Sequence, residues 1–186
     1  MSRLPRSFFE QKTITVAKSL LGKILVRRMG RKMIKGIIVE TEAYCGPHDL
    51  ASHASRGRTP RTDVMFGKAG TAYVYMIYGM YHCLNIVTED DGYPAAVLIR
   101  AIEPSFAKAT EGKANGPGKL CRYFHIDRNV NNEDVTTSNR LWIEDGEKIA
   151  SSKIMRRSRI GVDYAGTYKD KLWRFYIKNN AFVSKK

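Results

Sequence analysis

The stretch Ile38-Val39-Glu40-Thr41-Glu42-Ala43-Tyr44 organises the chain. Its apolar lead predicts a buried strand. The strand then carries two carboxylates and a tyrosine before Gly46-Pro47 stops it. Side chains of an extended segment alternate between faces, so Glu40, Glu42 and Tyr44 point the same way if the strand is regular. A carboxylate beside an aromatic at a strand's exit suits acid–base chemistry next to a stacked ring. An edge strand whose acids face solvent, or pair with the many basic residues, also fits this stretch. The rest of the chain decides between the two.

Working outward, residues 95–102 form an apolar run that predicts an interior strand with Arg100 as its one charge. A guanidinium inside a sheet is costly unless paired, and the candidate partners are Glu42 and Glu40. An arginine stem that snorkels to the surface is the alternative. Tyr73-Val74-Tyr75-Met76-Ile77-Tyr78 is the most aromatic stretch and predicts a strand. Gly79 permits a sharp turn, and residues 80–87 return as a second strand. Alternation puts Tyr73, Tyr75 and Ile77 on one face and Val74, Met76 and Tyr78 on the other, with Tyr78 at the tip. A large aromatic at a hairpin tip can wedge into a base stack or serve a protein interface. Asn85, within the returning strand, can both donate and accept; bonding to nearby backbone is its plainest use.

The remaining segments follow simple signals. Residues 13–21 have helical apolar spacing, ended by Gly22, and 24–28 read as a strand. Residues 55–61 form a loop with Arg56, Arg58 and Arg61, which can grip phosphates by charge and bidentate geometry; a solvated loop is the alternative. Gly67 to Gly70 turns the chain without the spacing of a phosphate-binding Walker loop. Asn115-Gly116-Pro117-Gly118-Lys119-Leu120 marks a helix start whose free backbone N–H groups can meet a phosphate, with Lys119 adding charge. The helix is expected over 120–126. Strands are expected over 141–144 and 154–162, a last strand or short docking segment over 172–177, and a variable surface segment over 104–114.

Composition narrows the classes. The chain has 186 residues, 32 Lys plus Arg against 18 Asp plus Glu, and a formal charge of +14. That charge favours a polyanionic partner, of which nucleic acid is the commonest soluble one. No apolar run approaches a membrane span, and residues 1–5 lack the apolar core of a signal peptide. Cys45, Cys83 and Cys121 are widely spaced and odd in number, which suggests neither a disulfide framework nor a zinc knuckle. A reducing, cytoplasmic location is expected, nucleoid-associated if the source is prokaryotic.

Taken together, these pieces resemble the alkyladenine (3-methyladenine) DNA glycosylase family, mammalian in type and also found in bacteria. The matching residues are Val39-Glu40-Thr41-Glu42-Ala43-Tyr44, His53 ahead of the arginine loop, Met65-Phe66, and Tyr73 through Tyr81 with Cys83-Leu84-Asn85. Leu98 through Pro104, Asn115 through Leu120, Arg159-Ile160-Gly161 and Arg174-Phe175-Tyr176 complete the set. The resemblance implies a mixed α/β (α+β) domain over residues 1–186, with a curved antiparallel sheet and a protruding DNA-intercalating hairpin. It also implies a fold similar to the C-terminal domain of methionyl-tRNA formyltransferases. Against the family pattern, Cys45 and His48 are additions beside the motif, residues 122–125 are bulkier and residues 110–114 are idiosyncratic.

The resemblance further implies a monofunctional glycosylase of base excision repair. Glu42 would activate a water, and Arg100 would hold Glu42 and that water. Tyr44 and Tyr75 would sandwich a flipped base, with His53 and Leu98 completing the pocket. Tyr78 would fill the emptied stack from the minor groove, flanked by Met80. Asn85 would screen out guanine by crowding its 2-amino group. Arg56, Arg58, Arg61 and Lys119 are expected on the DNA backbone. The implied partner is double-stranded DNA containing alkylated or deaminated purines, namely 3-methyladenine, 7-methylguanine or hypoxanthine. A monomer is expected, with no cofactor, metal or membrane. A non-catalytic nucleic-acid-binding protein of the same fold is the competing expectation, and an RNA binder a third.

Overall fold

The computed structural model describes residues 2–105 and 114–185. The segment expected to be a variable surface stretch therefore lies mostly outside the described residues, as do residues 110–113. The described chain folds as a mixed α/β structure around one curled, all-antiparallel sheet of eight strands. β2 (Lys32–Tyr44) is its axis. On one side β2 pairs with β5 (Ala95–Pro104), which continues through β4 (Tyr81–Thr88) to β3 (Ala72–Ile77). On its other side β2 is shared. Residues 32–37 pair with β1 (Ile24–Met29), which leads to β6 (Leu141–Glu144). Residues 40–42 pair with β8 (Arg174–Ile177), which carries β7 (Ile154–Arg157). An edge position for the Glu40–Glu42 segment is thus excluded.

The strand is irregular where its chemistry begins. Pairing with β5 runs Ile38↔Ile102, then Glu40↔Ala101, then Thr41↔Ile99. Val39 and Arg100 each lack an opposite residue, and such a bulge reverses the alternation of faces. Before it, Ile34 and Ile38 join the main apolar cluster. After it, Ala43 joins that cluster and Thr41 donates to the Ala17 carbonyl at 2.8 Å. Glu40, Glu42 and Tyr44 therefore share the opposite face, as alternation within that short segment predicts.

The apolar face is covered by short helices. α1 (Arg6–Phe9), which the sequence reading did not foresee, buries Phe9. α2 (Thr13–Ser19) buries Val16 and Ala17, and Glu89 accepts both the Thr13 N–H and its hydroxyl, at 3.0 and 2.6 Å. That carboxylate satisfies a helix-start donor that a local cap would otherwise take. α3 (Pro117–Tyr123) starts at the predicted proline but ends sooner than expected, with His125 at positive φ. A Cβ at Gly118 would come within 2.9 Å of the Tyr81 ring, so glycine lets this helix seat on β4. Together these bury Leu20, Ile86, Ile99, Leu120 and Phe124 completely.

Two strand expectations need correction. The strand expected over 154–162 stops at Arg157, because Arg159 leaves the sheet for a buried carboxylate far away in sequence. The last strand begins at Arg174, not at 172.

Candidate active site

The sheet face that carries Glu42 and Tyr44 lines a cavity of about 420 Å³, which Pro117 at the start of α3 also borders. Its floor is a row set by strand register, Tyr73 opposite Asn85 and Asn85 opposite Leu98, and Glu42 lies opposite Leu98, behind the wall. Opposed residues of an antiparallel pair share a face, so Tyr73, Asn85, Leu98 and Glu42, far apart in sequence, become neighbours. Tyr75 and Cys83 form an adjacent pair in that floor. Tyr44, His53, Arg61, Arg100 and Tyr164 contribute walls, and Tyr78 stands at the mouth.

Glu42 has no exposed surface and is not itself part of the cavity wall. Its carboxylate is fixed from three sides. The Ile160 N–H donates to Oε1 at 2.8 Å, the Tyr44 hydroxyl donates to Oε2 at 3.0 Å, and Arg100 Nη1 lies 3.3 Å from Oε2. All three of these residues border the cavity. Burial, with Glu42 beside it, pushes the Tyr44 phenol well above its usual range. Arg100 answers both candidate carboxylates rather than one, because its Nε also lies 3.3 Å from Glu40. Burial works against the Arg100 charge, yet the two glutamates raise its pKa above the usual arginine value.

Sequence reasoning missed the support behind this carboxylate. Arg159 is fully buried against Asp49, with contacts of 2.5 and 2.8 Å, and it also donates to the Ala43 carbonyl. Its guanidinium lies 4.9 Å from the Tyr44 ring centroid and 5.0 Å from that of Trp173. This pair anchors the loop that presents the Ile160 N–H to Glu42. No local signal marks it: Asp49 and Arg159 are 110 residues apart. Cys45 and His48 border the same region. Tyr93 donates to the Cys45 carbonyl at 3.1 Å and meets His48 Nδ1 at 3.4 Å. All three cysteines are free and buried.

His53 packs edge-on against Tyr75, with centroids 4.5 Å apart, and its Nδ1 meets the Tyr73 hydroxyl at 3.0 Å. Burial, with Arg61 and Arg56 nearby, lowers its pKa to about 4. Asn85 uses its amide N–H on the Tyr73 carbonyl at 3.1 Å, as plain backbone bonding predicts, and still borders the cavity.

The hairpin tip departs from the simple two-face division, since Met76, Ile77 and Tyr78 all border the cavity. Tyr78 and Gly79 both have positive φ, and Met80 N–H closes the turn onto the Ile77 carbonyl. A tyrosine in the left-handed region is strained, yet Tyr78 is 84% and Met80 66% exposed. The arginine loop divides. Arg56 is exposed, and Arg58 is engaged by Asp63 at 2.7 Å and lies over Phe66. Arg61, also exposed, reaches over the cavity rim to within 5.2 Å of the Tyr75 ring centroid. Lys119 reaches Asn115 on the surface.

The model of the methylpurine-DNA glycosylase (MPG) family matches residues 7–181. The chain belongs to the methylpurine-DNA glycosylase family. Similar proteins include one from Methanocella arvoryzae, 51% identical over 197 residues, covering 100% of this chain and 98% of the relative. One from Legionella pneumophila strain Corby is 50% identical over the full length of both. One from Clostridium perfringens strain 13 is 46% identical, covering 99% of this chain and all of the relative. All three carry the name "Putative 3-methyladenine DNA glycosylase". Among the described residues of this family member, no helix is long and apolar enough to cross a membrane.

Proposed function

We propose that this chain is a 3-methyladenine DNA glycosylase that receives a damaged purine, flipped from duplex DNA, between Tyr44 and Tyr75. One observation carries the reading. A fixed carboxylate, Glu42, sits behind an aromatic cavity and is held by three residues of its wall, the side chains of Tyr44 and Arg100 and the backbone N–H of Ile160. A cavity cannot reach a base inside a duplex, so the base has to leave the stack. Tyr78, exposed at the tip with Met80 beside it, fills the gap in this reading. Arg56, Lys119 and the charge of +14 supply backbone attraction.

The chemistry is hydrolysis at the sugar. The C1′–N9 electron pair leaves with the purine, a water oxygen bonds C1′, and Glu42 takes the water's proton. That proton transfer needs a water at Oε2, where the Tyr44 hydroxyl and Arg100 now converge. Arg100 then orients both groups and offsets charge on the carboxylate. Alkylated purines with fixed positive charge leave readily and stack well on tyrosine faces. Asn85 and Leu98 shape the floor against ordinary guanine.

A duplex with one hypoxanthine or one 3-methyladenine tests this reading, with alkali converting each abasic site to a strand break. Breaks that need the protein support the glycosylase. Tight lesion binding without breaks would leave a non-catalytic DNA-binding protein. A preference for unpaired RNA would reject both.

A further inference from the structure

We propose that Arg61 sets the balance between neutral and cationic purines: its guanidinium, over the Tyr75 ring, disfavours a charged base and favours an uncharged purine with acceptor atoms on its edge. The inference rests on the glycosylase reading and concerns a residue expected at first to hold DNA phosphate.

The charges around the cavity single out this residue. Arg100 is the other cation in the wall, and its charge is answered by Glu42 and Glu40, each 3.3 Å away. Arg58, in the same loop as Arg61, is answered by Asp63. Arg61 forms no ion pair among the described residues. His53, edge-on to the same tyrosine, is held neutral at ordinary pH, so it neither adds charge nor changes it. Arg61, exposed at the rim and hydrogen-bonded to Tyr73, is therefore the cation of the cavity wall that no carboxylate answers among the described residues.

Its position gives that charge a specific consequence. A tyrosine face attracts a cation through the ring quadrupole. Here the Tyr75 ring already has a guanidinium 5.2 Å from its centroid. A base with fixed positive charge entering beside Tyr75 meets that cation and gains less from the ring. A neutral purine such as hypoxanthine meets no such repulsion, and its O6 and N7 can accept from the guanidinium's five donors.

The test is a ratio within one enzyme. Single-turnover release of hypoxanthine and of 7-methylguanine is measured from matched duplexes for the wild-type chain, Arg61→Gln, Arg61→Lys and Arg56→Gln. Arg61→Gln is expected to shift the ratio toward 7-methylguanine by about fivefold, the size of an exposed cation–π contact. Arg61→Lys, which keeps the charge, is expected to stay near the wild-type ratio. Arg56→Gln is expected to weaken binding of both duplexes alike and leave the ratio unmoved. An Arg61→Gln variant that slows both releases equally, with a smaller salt slope, overturns the proposal and leaves a phosphate contact. A lysine variant that shifts as far as the glutamine one overturns charge as the cause. A wild-type chain that releases neither base refutes the glycosylase reading itself, and the proposal falls with it.

Discussion

Glu40 and Glu42 lie two residues apart on one strand, share a face and have no exposed surface, yet their surroundings differ in kind. Glu40 is saturated from within the fold. Arg174 Nη1 reaches it at 2.9 Å, Arg100 Nε at 3.3 Å, and Ser184 donates both its N–H and its hydroxyl, at 2.7 and 3.0 Å. Glu42 is held by groups that border the cavity, two of them side chains that a bound molecule can move. Equal burial thus hides unequal availability. What separates a structural carboxylate from a candidate base is who its partners face, not how deep it lies.

The comparison can be broken at four points. The largest expected effect is on stability, at Glu40. Glu40→Gln removes the counter-charge of Arg174 and half that of Arg100. Breaking a buried pair costs about 3–5 kcal/mol, which a lower urea midpoint would reveal. The release rate per folded molecule should change far less. If stability is unchanged, Glu40 is not the structural member of the pair.

Glu42→Gln is expected to do the opposite. Its fold and its affinity for an abasic-analogue duplex should hold. Single-turnover hypoxanthine release should fall by at least about a hundredfold, the low end for losing a positioned general base. A near wild-type rate, with Glu40→Gln slowed instead, would reverse the assignment of the two glutamates.

Tyr78→Ser moves the comparison to the mouth of the cavity. Affinity for the abasic-analogue duplex should drop about tenfold, within the range for losing one aromatic stack. Equal affinity would remove the wedge role.

The smallest effect expected concerns His53. Its folded pKa is about 4 against an ordinary 6.5. Between those values the unfolded chain binds a proton that the folded chain refuses. Stability therefore falls as pH is lowered from about 6.5 to about 4. His53→Gln should flatten that part of the urea midpoint against pH. An unchanged profile would mean that His53 is not held neutral by its setting.

Much of this arrangement is legible in the sequence. The lone charge in a strand of apolar residues pointed from Arg100 to the two glutamates, since a buried guanidinium needs a counter-charge. The tyrosine before Gly79 pointed to a hairpin tip. What stayed hidden was long-range. Residues 154–162 have strand-like alternation, but Arg159 answers to Asp49, and nothing near it in sequence says so. Arg61 sits in a loop whose composition suggests solvent and phosphate, and its seat over the Tyr75 ring cannot be read from that composition. Ser184 looks like tail composition, yet it closes the hydrogen bonding of the central carboxylate.

The paired bulge at Val39 and Arg100 has a further consequence. It acts as a phase shifter, so one strand keeps two independent rhythms. Residues 33–38 are in step with the apolar interior, and residues 40–44 with the cavity. Held in a single phase with Ile38 inward, the strand would drive Glu40, Glu42 and Tyr44 into the hydrophobic interior. With the shift in place, selection can repack Ile34 and Ile38 against the helices without re-aiming the carboxylates. It can likewise retune the cavity end without disturbing the packing. A library that randomises one half of β2 while fixing the other is thus a search over one property at a time.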